Sequence, residues 1–181
     1  MSVVALVGNP REGSRTLTVA VEAARAIGRR LDGEEAYELN GGEPYEVVDL
    51  AALGPHLLAP GASAGVEVAL ELVAEASVLV VASPTYKGTY TGLLKAFLDR
   101  LPPRALAGKA ALPLLVMGDA KHALAVEVHL RPLLVELGAT VPTPGLAVLE
   151  SELPRLEEVV GVWAATVAPQ AAVALQDGVP G

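Results

Sequence analysis

Short aliphatic runs recur along the chain at residues 3–7, 46–49, 78–82 and 111–117, with a shorter fifth within 139–148. Their positions are apolar in succession rather than in alternation, the pattern of parallel strands buried on both faces. Between them, apolar residues return every three or four positions over 16–31, 66–74, 91–101 and 122–137, which predicts amphipathic helices. A last helix is predicted from Leu153 to about Ala168. Gly41-Gly42-Glu43-Pro44 and the segment 54–61 read as surface loops. Pro132 falls inside the fourth helical pattern and offers no amide proton to the Val128 carbonyl, so a kink or bulge is predicted over 128–132.

Five strands with interleaved helices predict an α/β fold, a doubly wound five-stranded parallel sheet in three layers. Of the two common strand orders, the flavodoxin-like one suits five strands in 181 residues. No internal repeat or linker divides the chain, which reads as one domain over 1–169 and a frayed tail over 170–181. The apolar fraction of 52% against 19% charged residues argues against disorder. Aromatic residues make up only 3%, so the core is aliphatic and any aromatic loop stands out.

Charge and cysteine content narrow the function. A net charge of −8 speaks against DNA or RNA, whose binding begins with a basic footprint. No basic run suggests a membrane surface. The absence of cysteine excludes disulfides, thiol nucleophiles and thiolate metal sites. Met1-Ser2 leads directly into an aliphatic strand, without the basic start of a signal peptide. The most apolar late segment, 159–175, is interrupted by Pro169-Gln170 and falls short of the roughly 20 residues that span a bilayer. A soluble cytoplasmic protein is therefore expected.

The chemistry lies in the loops after the strands, because open α/β sheets bind ligands outside the carboxyl ends of their strands. The first loop runs Gly8-Asn9-Pro10-Arg11-Glu12-Gly13-Ser14-Arg15-Thr16 into a helix. Glycines let backbone amides turn toward one point, and a helix start favours an anion there. Asn9, Ser14 and Thr16 add polar groups, and Arg11 and Arg15 add guanidinium forks suited to phosphate. Ser14-Arg15 stands where a triphosphate loop requires Lys-Ser/Thr, and Pro10 replaces the second glycine of the dinucleotide fingerprint. A plainer reading makes Ser14 a helix cap and both arginines solvated surface groups.

The second loop, Ser83-Pro84-Thr85-Tyr86-Lys87-Gly88-Thr89-Tyr90, holds two of the four tyrosines. It can offer backbone groups to the edge of a flat heterocycle and an aromatic wall to its face; alternatively the tyrosines simply cover the end of the sheet. Thr91 is the expected cap of the next helix, Phe97 a core residue, and Lys95 and Asp99 an outward pair. In the third loop, Gly118 permits close approach of a ring, while Asp119 is a helix cap. His122, His129 and His56 are too scattered for a metal site. No nucleophile arrangement is apparent either, and neither a general acid nor a general base is assigned.

These loops resemble those of the NAD(P)H-dependent FMN reductases, particularly the branch that supplies reduced flavin to sulfonate-degrading monooxygenases. The carriers are the first loop, Pro84-Thr85-Tyr86-Lys87-x-x-Tyr90-x-Gly92-x-x-Lys95, Leu101-Pro102-x-Arg104-Ala105-Leu106-x-Gly108-Lys109, and His122-x-Leu124-Ala125-Val126. The resemblance implies a flavodoxin-like fold binding FMN at a subunit interface of a homodimer or homotetramer, with NADPH or NADH as reductant. Asn9, Arg11, Ser14 and Thr16 would hold the FMN phosphate; Pro84, Thr85, Tyr86 and Lys87 would border the ring, with Gly118 at its far edge. A flavin-dependent monooxygenase would then be the partner. The chain departs from the family at Asn9, where serine is usual, and at Val128-His129, where close relatives insert a tyrosine or histidine at a helix bulge. Two alternatives remain: a quinone or azo reductase with fixed FMN, or a flavodoxin-type electron carrier.

Overall fold

In the computed structural model, which describes residues 1–33 and 45–177, five parallel strands form one sheet. They are β1 (Val3–Val7), β2 (Tyr45–Asp49), β3 (Val78–Pro84), β4 (Ala110–Met117) and β5 (Leu146–Leu149), in the spatial order β2-β1-β3-β4-β5. This is the flavodoxin-like order, in which the chain turns back at β1 and opens a crevice between the carboxyl ends of β1 and β3. The helices are α1 (Arg15–Asp32), α2 (Gly54–Leu57), α3 (Ala64–Glu75), α4 (Gly92–Leu98), α5 (Arg131–Glu136) and α6 (Leu156–Asp177).

Successive strand side chains point to opposite faces, so the sheet separates two aliphatic cores. Val3, Ala5, Val7, Val78, Val80 and Leu114 pack under α1 and α6. Val4, Leu6, Leu79, Val81, Ala111 and Leu115 pack under α3, α4 and α5. Every residue of β1, β3 and β4 is buried, which explains why these strands are apolar at every position but Ser83.

Several boundaries differ from the sequence expectation, each for a local reason. The fifth strand occupies only Leu146–Leu149, because Pro142 and Pro144 cannot donate to a ladder; a single bridge joins Thr140 to Ala110 further back. α4 stops at Leu98 instead of continuing to Leu101. The amides of Arg100 and Leu101 tighten onto the Phe97 and Leu98 carbonyls, and Pro102 disfavours helix in the residue before it. The expected loop at 54–61 begins with the helical turn α2, which buries Leu57. The loop expected at Gly41-Gly42-Glu43-Pro44 lies outside the described residues.

The largest correction concerns the carboxyl end. α6 passes through Pro169 to Asp177, where a break and a frayed tail were expected. Gln170 accounts for this: its side chain accepts from the Thr143 amide (3.0 Å) and donates to the Thr143 carbonyl (2.6 Å), while Ala171 is fully buried. By length and composition the run is thus apolar enough to cross a bilayer. Here it lays Val160, Trp163, Ala164, Val167 and Ala168 into the core against α1.

The predicted kink is present as a π-helical turn, Val126–Leu130, closed by the Arg131 amide on the Val126 carbonyl. It aims Glu127 at the chain entering β5. One carboxylate oxygen accepts from the Gly145 amide at 2.6 Å and the other from Arg131 Nε. Arg131 in turn donates to the carbonyls of Val141 (2.5 Å) and Pro142 (3.2 Å). The Arg131 guanidinium, helped by the Gly145 amide and opposed by partial burial, holds the Glu127 carboxyl below its ordinary value of 4.5. A carboxyl depressed in the folded state stabilises the fold above its unfolded pKa, and that contribution disappears as pH falls through the folded pKa. Glu127→Gln should therefore cost about 1–3 kcal/mol at pH 7. Its stability should also fall less steeply than the wild type's on acidification below about pH 4.5, as measured by urea unfolding across pH.

Candidate functional site

The site forms where the loops after β1 and β3 meet. The Gly8 amide donates to Ala82 O at 2.7 Å, carrying the β1–β3 pairing one residue beyond the strand. Thr91 then joins the loops: its hydroxyl donates to Gly8 O at 2.5 Å and accepts from the Leu94 amide at 3.1 Å, capping α4 as expected. The Thr91 amide donates to the fully buried Ser83 hydroxyl at 3.0 Å. Only glycine fits at position 8, since a Cβ there would lie 2.6 Å from Leu94 Cβ.

Asn9 organises the first loop. It is 7% exposed, its Oδ1 accepts from the Arg11 amide (3.0 Å), and its Nδ2 donates to Thr16 Oγ1 (3.0 Å). Ser14 caps α1 by accepting from the Leu17 amide (3.1 Å), and Gly13 takes a left-handed φ of 61°. Among the described residues none accepts from the loop amides of Glu12 and Gly13. The first-turn amides of a helix also lack carbonyl partners within it, and α1 has no acidic residue there to answer its dipole. An anion is the complement of such a loop.

The two arginines differ. Arg11 is exposed, with no ion pair to another described residue, whereas Arg15 Nη1 lies 2.5 Å from Glu150 Oε2. Glu150 follows β5 immediately, so its backbone stands on the same edge of the sheet.

In the second loop, Tyr86 and Thr89 pair across a two-residue turn in which Lys87 and Gly88 both have positive φ, 56° and 85°. That is the hairpin turn for which glycine at the second position is well suited. The turn projects Tyr86, 41% exposed, from the sheet edge. The Thr85 amide is tied to Val116 O at 2.9 Å. Asp119 caps the next turn through the Lys121 amide at 3.0 Å and ion-pairs with its ammonium at 2.8 Å. Lys121 holds the Asp119 carboxyl below its ordinary range.

One cleft of about 450 Å³ gathers most of the expected residues: Asn9, Arg11, Ser14, Arg15 and Thr16 from the first loop, Pro84 and Tyr86 from the second. Thr85, Lys87 and Gly118 stand on the neighbouring loops but do not line it. Glu12, Val116 and Glu150 line it and were not anticipated. Glu150 was hidden because the sequence pattern left the end of the fifth strand undefined. His122, set aside as a poor metal ligand, lies beside the second loop, 4.0 Å from where a Cβ on Gly88 would sit.

A parallel sheet in this order, with a cleft at the β1–β3 switch point, defines a flavodoxin-like α/β protein. The model of the NADPH-dependent FMN reductase family matches residues 1–152. An Escherichia coli (strain K12) FMN reductase (NADPH) is 40% identical over 139 residues, 77% of this chain and 68% of the relative. The NADH-dependent FMN reductase SfnF of Pseudomonas fluorescens is 34% identical over 134 residues, 74% of this chain and 68% of the relative. Among solved structures, the apo form of an NADH:FMN oxidoreductase (EMOB) superposes with a TM-score of 0.74 at 31% identity, covering 94% of this chain and 93% of that one. The chain belongs to the NADPH-dependent FMN reductase family.

The Thr91 junction makes a direct prediction. Thr91→Val preserves shape but leaves the Gly8 carbonyl and Leu94 amide without their buried partner. It should lower unfolding free energy by about 2–3 kcal/mol in urea titrations, while Thr91→Ser stays within about 1 kcal/mol of the wild type.

Proposed function

We propose that this protein transfers hydride from NADPH or NADH to FMN, with FMN held by its phosphate at the β1–α1 loop and its ring along the segment 84–87. The observation that carries this reading is the convergence of an anion-adapted loop and an aromatic-walled loop on one cleft at the switch point. Family membership supports the same substrates.

The residues present fit FMN. The cleft volume lies within the usual range for small-ligand sites. The donors are those a phosphate needs: the loop amides, the Ser14 and Thr16 hydroxyls, and the Arg11 guanidinium. FMN, once bound, supplies the N5 that accepts hydride from C4 of the nicotinamide. The protein's own part is to bind and orient. Asn9 keeps the loop in shape through Thr16 and the Arg11 amide, and Arg11 grips the phosphate. Pro84 and Tyr86 offer apolar surface against which a ring can stack while shedding water. Thr85 and Lys87 contribute backbone groups beside it, and Gly118 leaves its edge unobstructed. No side chain is assigned as a general acid or base, and none is required by hydride transfer between two cofactors.

The working form we propose is a homodimer or homotetramer in the cytoplasm. Leu124, Val128 and Val135, on the segment after β4, are 70%, 57% and 54% exposed in the single chain, and association would cover them. Reduced FMN released from such an assembly would serve a flavin-dependent monooxygenase.

The test is NADPH and NADH oxidation by flavin-stripped protein with and without micromolar FMN. Saturable oxidation that depends on added FMN is expected. Turnover only with a quinone or dye would replace this reading by one with fixed flavin, and FMN binding without oxidation of either nucleotide would replace it by electron carriage. Arg11→Ala should weaken FMN binding by about 1–3 kcal/mol and leave riboflavin binding unchanged. Undiminished FMN affinity would remove Arg11 from the site.

A further inference from the structure

The cleft assigned above to FMN offers a dianionic phosphate no net side-chain charge. Two arginines, Arg11 and Arg15, and two glutamates, Glu12 and Glu150, line it, so its ionised side chains sum to zero. An FMN phosphate brings close to two negative charges at neutral pH. The protein's net charge of −8 adds no long-range attraction for it. The loop amides therefore act without net help from side-chain charge, because the lining is balanced.

The balance is specific to one contact. Arg15 is the first residue of α1, next to the Ser14 cap, and its Nη1 lies 2.5 Å from Glu150 Oε2. Glu150 is held there by the sheet: β5 pairs in register with β4 through Leu149 opposite Met117, and Glu152 fixes the following turn by accepting from the Leu149 amide at 2.8 Å. The Arg15 and Glu150 side chains remain 64% and 48% exposed, and a pair so exposed contributes little to stability. It is too weak a contact to be a structural tie. Its consequence falls on whatever anion enters the cleft.

We propose that Glu150 sets how loosely FMN is held, by competing with the FMN phosphate for Arg15 and repelling it, so that FMN passes through the site as a substrate. The inference rests on the FMN reading above. Competition of this kind acts on the phosphate alone, so it separates FMN from riboflavin, which shares the ring and lacks the charge. It also weakens with ionic strength, since both partners are exposed to solvent.

The experiment is equilibrium binding of FMN and of riboflavin, followed by flavin fluorescence, to the wild type, Glu150→Gln, Glu150→Ala, Arg15→Ala, and Glu150→Gln combined with Arg15→Ala. Both single Glu150 variants should bind FMN about 3–10-fold more tightly at low salt, with riboflavin unchanged. The gain should shrink toward about 2-fold or less at 0.5 M salt and in the Arg15→Ala background. FMN affinity unchanged or weakened in both single variants would overturn the proposal while leaving the FMN reading intact. Equal tightening of FMN and riboflavin would overturn it as well, since the effect would not pass through the phosphate. A wild-type protein that binds neither flavin would overturn the FMN reading and this inference with it.

Discussion

The site depends on a single junction, the Thr91 hydroxyl between Gly8 and Leu94. It joins the end of β1 to the start of α4, and through Ser83 it also holds the end of β3. These groups are buried, where unmade hydrogen bonds are costly and made ones are strong. Gly8 lets α4 approach so closely that no side chain fits between them. With β1, β3 and α4 locked together, the first two loops leave the sheet edge at a fixed separation, and that separation is the cleft. The loops can be irregular because the elements beneath them are not.

An acidic protein gathers anion donors here without becoming basic. The means are local: amides left unpaired by the turn into α1, a helix start free of acidic residues, and Arg11, an arginine with no ion pair to another described residue. Amides carry no net charge, so they attract a phosphate at short range without altering the overall field. Side-chain charge in the cleft is balanced instead of accumulated.

The segment after β4 shows a different use of irregular backbone. The π-helical turn after β4 aims Glu127 and Arg131 at the three carbonyl and amide groups of the chain that returns to form β5. β5 is short and follows two prolines, so it has few ladder bonds of its own. Its place is set by this ion pair and by Gln170, which reaches back from α6 to Thr143. Glu150 follows β5, so the composition of the cleft rests on contacts made by residues that do not line it.

Much of this was legible in the chain itself. Short uninterrupted runs rich in β-branched residues, such as Val78 to Ala82, read as doubly buried strands, and their alternation with helical periods points to a parallel sheet with helices on both faces. Ser14, Thr91 and Asp119 announced their helix starts, Pro132 announced the bulge, and a local phosphate-compatible loop was visible because its residues are consecutive. Tertiary structure alone decided the rest, because it turns on residues far apart in sequence. The Arg15–Glu150 pair spans 135 positions, and nothing local to either residue identifies the other. Likewise Gln170 carries α6 past Pro169 only because Thr143 stands opposite it. Propensity and pattern describe a residue's own neighbourhood; the charge of the cleft and the length of the last helix were decided by neighbours that only the folded sheet supplies.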